Sequence, residues 1–120
     1  MLDSVTNLKD LLKDPTLLEN RAFVAGEWVG ADDGSTFPVT NPARGDVICE
    51  VPDLGRAETA RAIAAAETAM KDWAKRTAKE RAQVMRRWHD LMMEDQDDLG
   101  AILTAEMGKP LAEGKGEIAY

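Results

Sequence analysis

A chain of 120 residues has room for one domain, and with 44% hydrophobic and 31% charged residues it is too apolar to stay unfolded. Its 15 Lys and Arg against 22 Asp and Glu leave a net charge of −7, which excludes the cation surplus that nucleic acid and anionic membranes require, so neither is an expected partner. No stretch approaches the roughly eighteen apolar residues of a membrane span, the first residues lack the basic start and apolar run of an export signal, and the single cysteine, Cys49, allows no internal disulfide; the expectation is a soluble, cytoplasmic protein.

Residues 4–19 carry Leu8, Leu11 and Leu12 at helical spacing until Asp14-Pro15 breaks the pattern ahead of a short turn at Thr16–Glu19. Residues 1–21 therefore read as a helical arm. From Ala22 the composition changes to β-branched and aromatic residues punctuated by glycine, which predicts strands near 22–25, 27–29, 36–40 and 47–51 and a small β-ribbon over 22–52. Ala25-Gly26 and Arg44-Gly45-Asp46 are the expected hairpin turns, since glycine reaches positive φ at least cost.

After Pro52 the pattern is helical. Residues 57–75 place Ile63, Ala66, Met70 and Trp73 on one stripe, and Thr77-Ala78-Lys79-Glu80 reads as a capping box that opens a second helix with Val84, Met85, Trp88, Leu91 and Met92 inward. Asp97 or Asp98 starts a third helix with Leu99, Ile102 and Leu103 inward, and Gly108 stands where a left-handed turn ends it. Pro110 suits the first position of a fourth helix. That helix carries Gly114 and Gly116, each costing roughly 1 kcal/mol, so it needs a packing partner, which is expected to lie outside this sequence. The segment is thus α+β, a small β-ribbon followed by three to four helices.

A complete active site is not legible. The Gly108-Lys109 pair lacks the rest of a phosphate-binding loop: Leu103 stands where the earlier glycine belongs and Pro110 where Ser or Thr belongs. No G-x-G-x-x-G follows a strand. Cys49 lies in an alternating strand pattern without a cue for a paired base, His89 alone builds no zinc site, and the run Glu94, Asp95, Asp97, Asp98 lacks the glycine-centred loop of a calcium site and reads as charge at a helix junction.

Four segments in order carry a resemblance: "FVAGEWV", "FPVTNPARGDVICEVP", "TAKERAQVMRRWHDLMMEDQDDLG" and "AEMGKPLAEGKGEIAY". Together they resemble the N-terminus of the aldehyde dehydrogenase superfamily, closest to its succinate-semialdehyde dehydrogenases, from about Leu8 to Tyr120. The resemblance implies the family's α/β fold for the whole enzyme, with residues 53–120 as the helical start of an NAD(P)-binding domain cut inside its fourth helix. It implies a small aldehyde substrate, NAD or NADP as cofactor, and a homo-oligomer, dimer or tetramer. It also implies that the catalytic cysteine and glutamate, the oxyanion-holding asparagine and the nucleotide-binding turn all lie beyond these residues, so none is assigned within 1–120. One carry-over remains. Some family members hold a structural monovalent cation through backbone carbonyls before Asn-Pro and a carboxylate after Gly-Lys-Pro, and the matching positions are Val39, Thr40 and Glu117, where the alternative for Glu117 is a solvated helix carboxylate.

Two functions of different class follow. One is the N-terminal part of an enzyme oxidising succinate semialdehyde to succinate, inactive alone; the other is a non-catalytic short product that serves as an assembly or interaction module for full-length subunits.

Overall fold

A computed structural model describes residues 7–120; the helical reading of residues 4–6 lies outside them. In chain order it contains α1 (Leu8–Leu11), a 3-10 turn (Pro15–Leu17), β1 (Ala22–Val24), β2 (Glu27–Val29), β3 (Thr36–Thr40), β4 (Val47–Pro52), α2 (Arg56–Lys75), α3 (Ala78–Glu94), α4 (Gln96–Met107) and α5 (Leu111–Ala119). The segment is α+β, with the strands in two two-stranded sheets, β1 with β2 and β3 with β4. The described residues divide into two compact units, one built from residues 7–19, 38–49 and 91–120 and the other from residues 20–37 and 50–90.

In the second unit, β1 and β2 pair antiparallel with Phe23 opposite Trp28, their rings 5.0 Å apart. The connection is the two-residue turn Ala25-Gly26, with φ of 54° and 87°. Both central residues of a type I′ turn need positive φ, so the sequence expectation holds, with Ala25 carrying the steric cost of a side chain in the left-handed region. Residues 32–35 form a side-chain-stabilised turn in which Asp33 accepts from the Ser35 amide (2.9 Å) and hydroxyl (2.6 Å), and these bonds hold its carboxyl below the usual range. This turn is tied to the start of α2 by Glu58, whose two oxygens accept from the amides of Asp32 and Gly55, while Arg61 bridges to Asp32 at 2.6 Å.

The start of α3 follows the predicted capping box: the Glu80 carboxylate accepts from the Thr77 amide at 2.7 Å, and the Glu80 amide donates back to the Thr77 hydroxyl at 3.3 Å. The apolar stripes of both helices have the predicted spacing, but their residues are at most half-buried. Neither α2 nor α3 has a buried residue, and Ile63 (63%) and Trp88 (60%) are largely exposed. Periodicity marks the side of a helix that gains from burial; it does not supply the element that covers it.

In the first unit, α4 packs on α5. The third predicted helix begins at Gln96, one residue ahead of the expected Asp97, and ends at Gly108 in the left-handed conformation (φ 83°), as expected. The fourth begins at Leu111 with Pro110 just outside it (φ −56°, ψ 143°), because the ring's φ suits a cap as well as a first turn. Gly114 is buried against α4: a Cβ there would meet the Gly100 carbonyl oxygen at 2.9 Å and Thr104 Oγ1 at 2.8 Å. The packing partner of Gly114 is therefore within this chain, contrary to the expectation that it had to lie outside; Gly116 has open space around it. Leu12 and Leu18 of the arm are the buried hydrophobic residues among those described, each contributing about 1.5–3 kcal/mol by burial.

Candidate functional site

The first unit holds a half-open trough of about 540 Å³. One wall is Leu8 and Leu11 of the arm, a second is the β3–β4 turn with Val47 and Ile48 behind it, and the floor is Ala101, Thr104 and Ala105 of α4. The turn is rigidly specified. Asn41 Oδ1 accepts from the Ala43 amide (2.9 Å), the Asn41 carbonyl accepts from the Gly45 amide (2.7 Å), and the Asn41 amide donates to the Asp46 carbonyl (2.8 Å). Gly45 stands at φ 80°, and Arg44 grips Asp46 through Nε (2.7 Å) and Nη2 (2.9 Å). The guanidinium holds the Asp46 carboxyl below its ordinary range, and the carboxylate in turn raises Arg44. Pro42 packs so closely on Gly108 that a Cβ there would lie 2.9 Å from its Cγ.

The polar groups of the β3–β4 turn thus bond to one another, and Thr104 has a buried hydroxyl with no hydrogen-bond partner. A trough of this kind offers an apolar bed. It offers no nucleophile beside a base, which acyl or hydride chemistry needs.

The cation candidates are all in this unit. Val39 is half-buried and Thr40 exposed at the end of β3, and Glu117 is exposed on α5, where its carboxylate accepts from Lys109 Nζ. Cys49 is half-buried on β4. In the second unit His89 is exposed, its Nδ1 3.3 Å from Asp90 Oδ1. Among the described residues no group of three or more His, Cys, Asp or Glu side chains is placed to hold a metal ion.

The acidic run at the α3–α4 junction does more than favour a helix terminus. Asp98 is buried at 5% exposure, and its two oxygens accept from the backbone amides of Lys13 (3.1 Å) and Asp14 (2.8 Å). Asp97 takes Lys115 Nζ at 2.8 Å and Lys13 Nζ at 2.9 Å, and these two ammonium groups lower its carboxyl to about 2. The bonds from Lys13 and Asp14 span 84 and 85 residues, so no local pattern could have announced them.

Residues 28–120 match the aldehyde dehydrogenase family. The chain is 56% identical over 107 residues to a 3-sulfolactaldehyde dehydrogenase of Pseudomonas putida, covering 89% of this chain and 22% of that protein. It is 58% identical over 109 residues to a glutarate-semialdehyde dehydrogenase of Pseudomonas aeruginosa, covering 91% and 23%. A crystal structure of succinate-semialdehyde dehydrogenase from Burkholderia pseudomallei superposes with a TM-score of 0.88 at 56% identity, over 91% of this chain and 23% of that one. The chain therefore spans less than a quarter of the length of these relatives. With the family match running from residue 28 to residue 120 and the local fold shared, this chain belongs to the aldehyde dehydrogenase family.

Proposed function

We propose that these 120 residues are part of an NAD(P)-dependent aldehyde dehydrogenase whose substrate is succinate semialdehyde, oxidised to succinate. The observation that carries the substrate class is chemical. The relatives named above act on 3-sulfolactaldehyde, glutarate semialdehyde and succinate semialdehyde, three small aldehydes with an anionic carboxylate or sulfonate at the far end.

On this reading a cysteine thiolate outside residues 1–120 adds to the aldehyde carbon, amide N–H groups stabilise the oxyanion, and a carboxylate-activated water releases the acid from the thioester. The nicotinamide, when bound, supplies the hydride acceptor. Residues 53–120 open the NAD(P)-binding domain, the enzyme is a cytoplasmic homo-oligomer, and Cys49 and His89 take no part in the chemistry. Within these residues the backbone carbonyls of Val39 and Thr40 and the carboxylate of Glu117 hold a structural monovalent cation. Binding there requires Glu117 to exchange its Lys109 partner, so the site would form only with rearrangement on α5.

The second reading, an interaction module for full-length subunits, is favoured by one observation: Ile63, Met70, Val84, Met85 and Trp88 are exposed on α2 and α3. The two readings separate on the natural polypeptide. On the enzyme reading its intact mass is several times that of residues 1–120, it forms reduced nicotinamide from succinate semialdehyde, and purified 1–120 does not exceed a blank. Aldehyde-dependent reduction by 1–120 alone overturns the assignment of the chemistry to residues outside it. A natural product of this length that is inactive and co-purifies with full-length subunits replaces the enzyme reading with the module.

A further inference from the structure

We propose that the N-terminal arm, residues 8–18, is a strap that opens independently of the helices beneath it, and that Asp97 and Asp98 form its clasp. The polar fastening of the arm is concentrated on two adjacent carboxylates: Asp98 accepts from the amides of Lys13 and Asp14, and Asp97 accepts from Lys13 Nζ. The apolar fastening is led by two buried side chains, Leu12 and Leu18, with Leu8 and Leu17 half-buried. The helical part, α1, is four residues long, too short to repay the cost of nucleating a helix, and Leu11 is 62% exposed.

The helices beneath are joined by contacts in which the arm has no share: the Gly114–Gly100 approach and a bond from Gln96 Nε2 to the Lys115 carbonyl at 2.9 Å. Lys115 also keeps Asp97 paired at 2.8 Å when Lys13 departs, and the Lys13–Asp97 pair is exposed, so its release costs little. Because Leu8 and Leu11 form one wall of the trough, lifting the strap uncovers Ala101, Thr104 and Ala105 of α4. The arm is the movable side of that trough, in the low-stability range from which local openings are drawn.

Native-state hydrogen exchange on the whole chain tests this residue by residue. In the unaltered chain the amides of Lys13 and Asp14 are expected to exchange at least about tenfold faster than those in the middle of α4, such as Leu103. Asp98→Asn is expected to speed Lys13 and Asp14 by about a further tenfold while leaving α4 and α5 unchanged. Asp97→Asn gives a smaller acceleration and removes its dependence on salt. Equal exchange rates in the arm and α4 of the unaltered chain overturn the proposal. So does an Asp98→Asn variant that loses protection in α4 and α5 to the same degree, or that does not fold, since a clasp on a strap leaves the underlying pair intact.

Discussion

Gly114 lies against the carbonyl oxygen of Gly100 so closely that a Cβ on Gly114 would stand 2.9 Å from it and 2.8 Å from Thr104 Oγ1. The α4–α5 pair depends on that approach, because one of the two obstacles, the Gly100 carbonyl, is backbone and cannot swing aside. Gly114→Ala is therefore expected to lower stability by about 1–3 kcal/mol in spite of alanine's better helix propensity. Gly116, two residues on, meets nothing within 4 Å, and Gly116→Ala is expected to raise stability by roughly 0.5–1 kcal/mol. Opposite shifts of the urea midpoint at unchanged slope check the pair; equal shifts of either sign contradict the packing described.

Asp98 carries a different load. Replacing it with Ala leaves the amides of Lys13 and Asp14 without their acceptor and is expected to cost about 1–3 kcal/mol. Asp98→Asn keeps the shape but puts an N–H₂ group against one of two donors, so it is expected to recover only part of the loss. Chemical denaturation of the two variants beside the unaltered chain measures both.

Acid should weaken this unit through Asp97, whose carboxyl is held at about 2, against an ordinary 3.8, by Lys115 and then Lys13. The unfolded chain binds the proton more readily between those values, so the stabilisation is complete above about pH 4 and is lost as pH falls through about 2. Asp14 and Asp46 of the same unit are lowered as well and share its acid limb, as Asp33 and Glu80 do in the other unit. The stability gap between the unaltered chain and Asp97→Asn should be widest above about pH 4 and close toward pH 2. A gap that stays constant across that range contradicts the assignment.

What could be read from the residues alone was local. Thr77 and Glu80 are three residues apart, and the capping box needs nothing further; the Ala25-Gly26 turn and the left-handed Gly108 follow from backbone sterics within a few residues. The partners of Asp98 and Gly114 could not be read, since they lie 84 and 14 residues away and the signals are an ordinary carboxylate and a glycine that otherwise reads as a weak point. The stripes containing Ile63 and Trp88 were legible as stripes, while their exposure was not, because a period reports the chemistry of one face and never its neighbour. Family membership was legible from four ordered segments; the chemistry was not, since none of its residues is assigned within this stretch.

The Ala25-Gly26 turn offers a stabilising change. Ala25 sits at φ 54°, where asparagine is tolerated far better than other side chains. Ala25→Asn is expected to add about 0.5–1 kcal/mol. Thermal unfolding checks it, and a neutral or lowered midpoint contradicts the turn geometry.

The functional reading is tested most directly by kcat/KM of the natural polypeptide for succinate semialdehyde, glutarate semialdehyde and 3-sulfolactaldehyde, each with NAD⁺ and with NADP⁺. The expected result is turnover of all three, highest for succinate semialdehyde, and loss of most of that efficiency with an uncharged aldehyde of the same length. Equal efficiency with the uncharged aldehyde, or no aldehyde-dependent reduction of either nicotinamide, contradicts it.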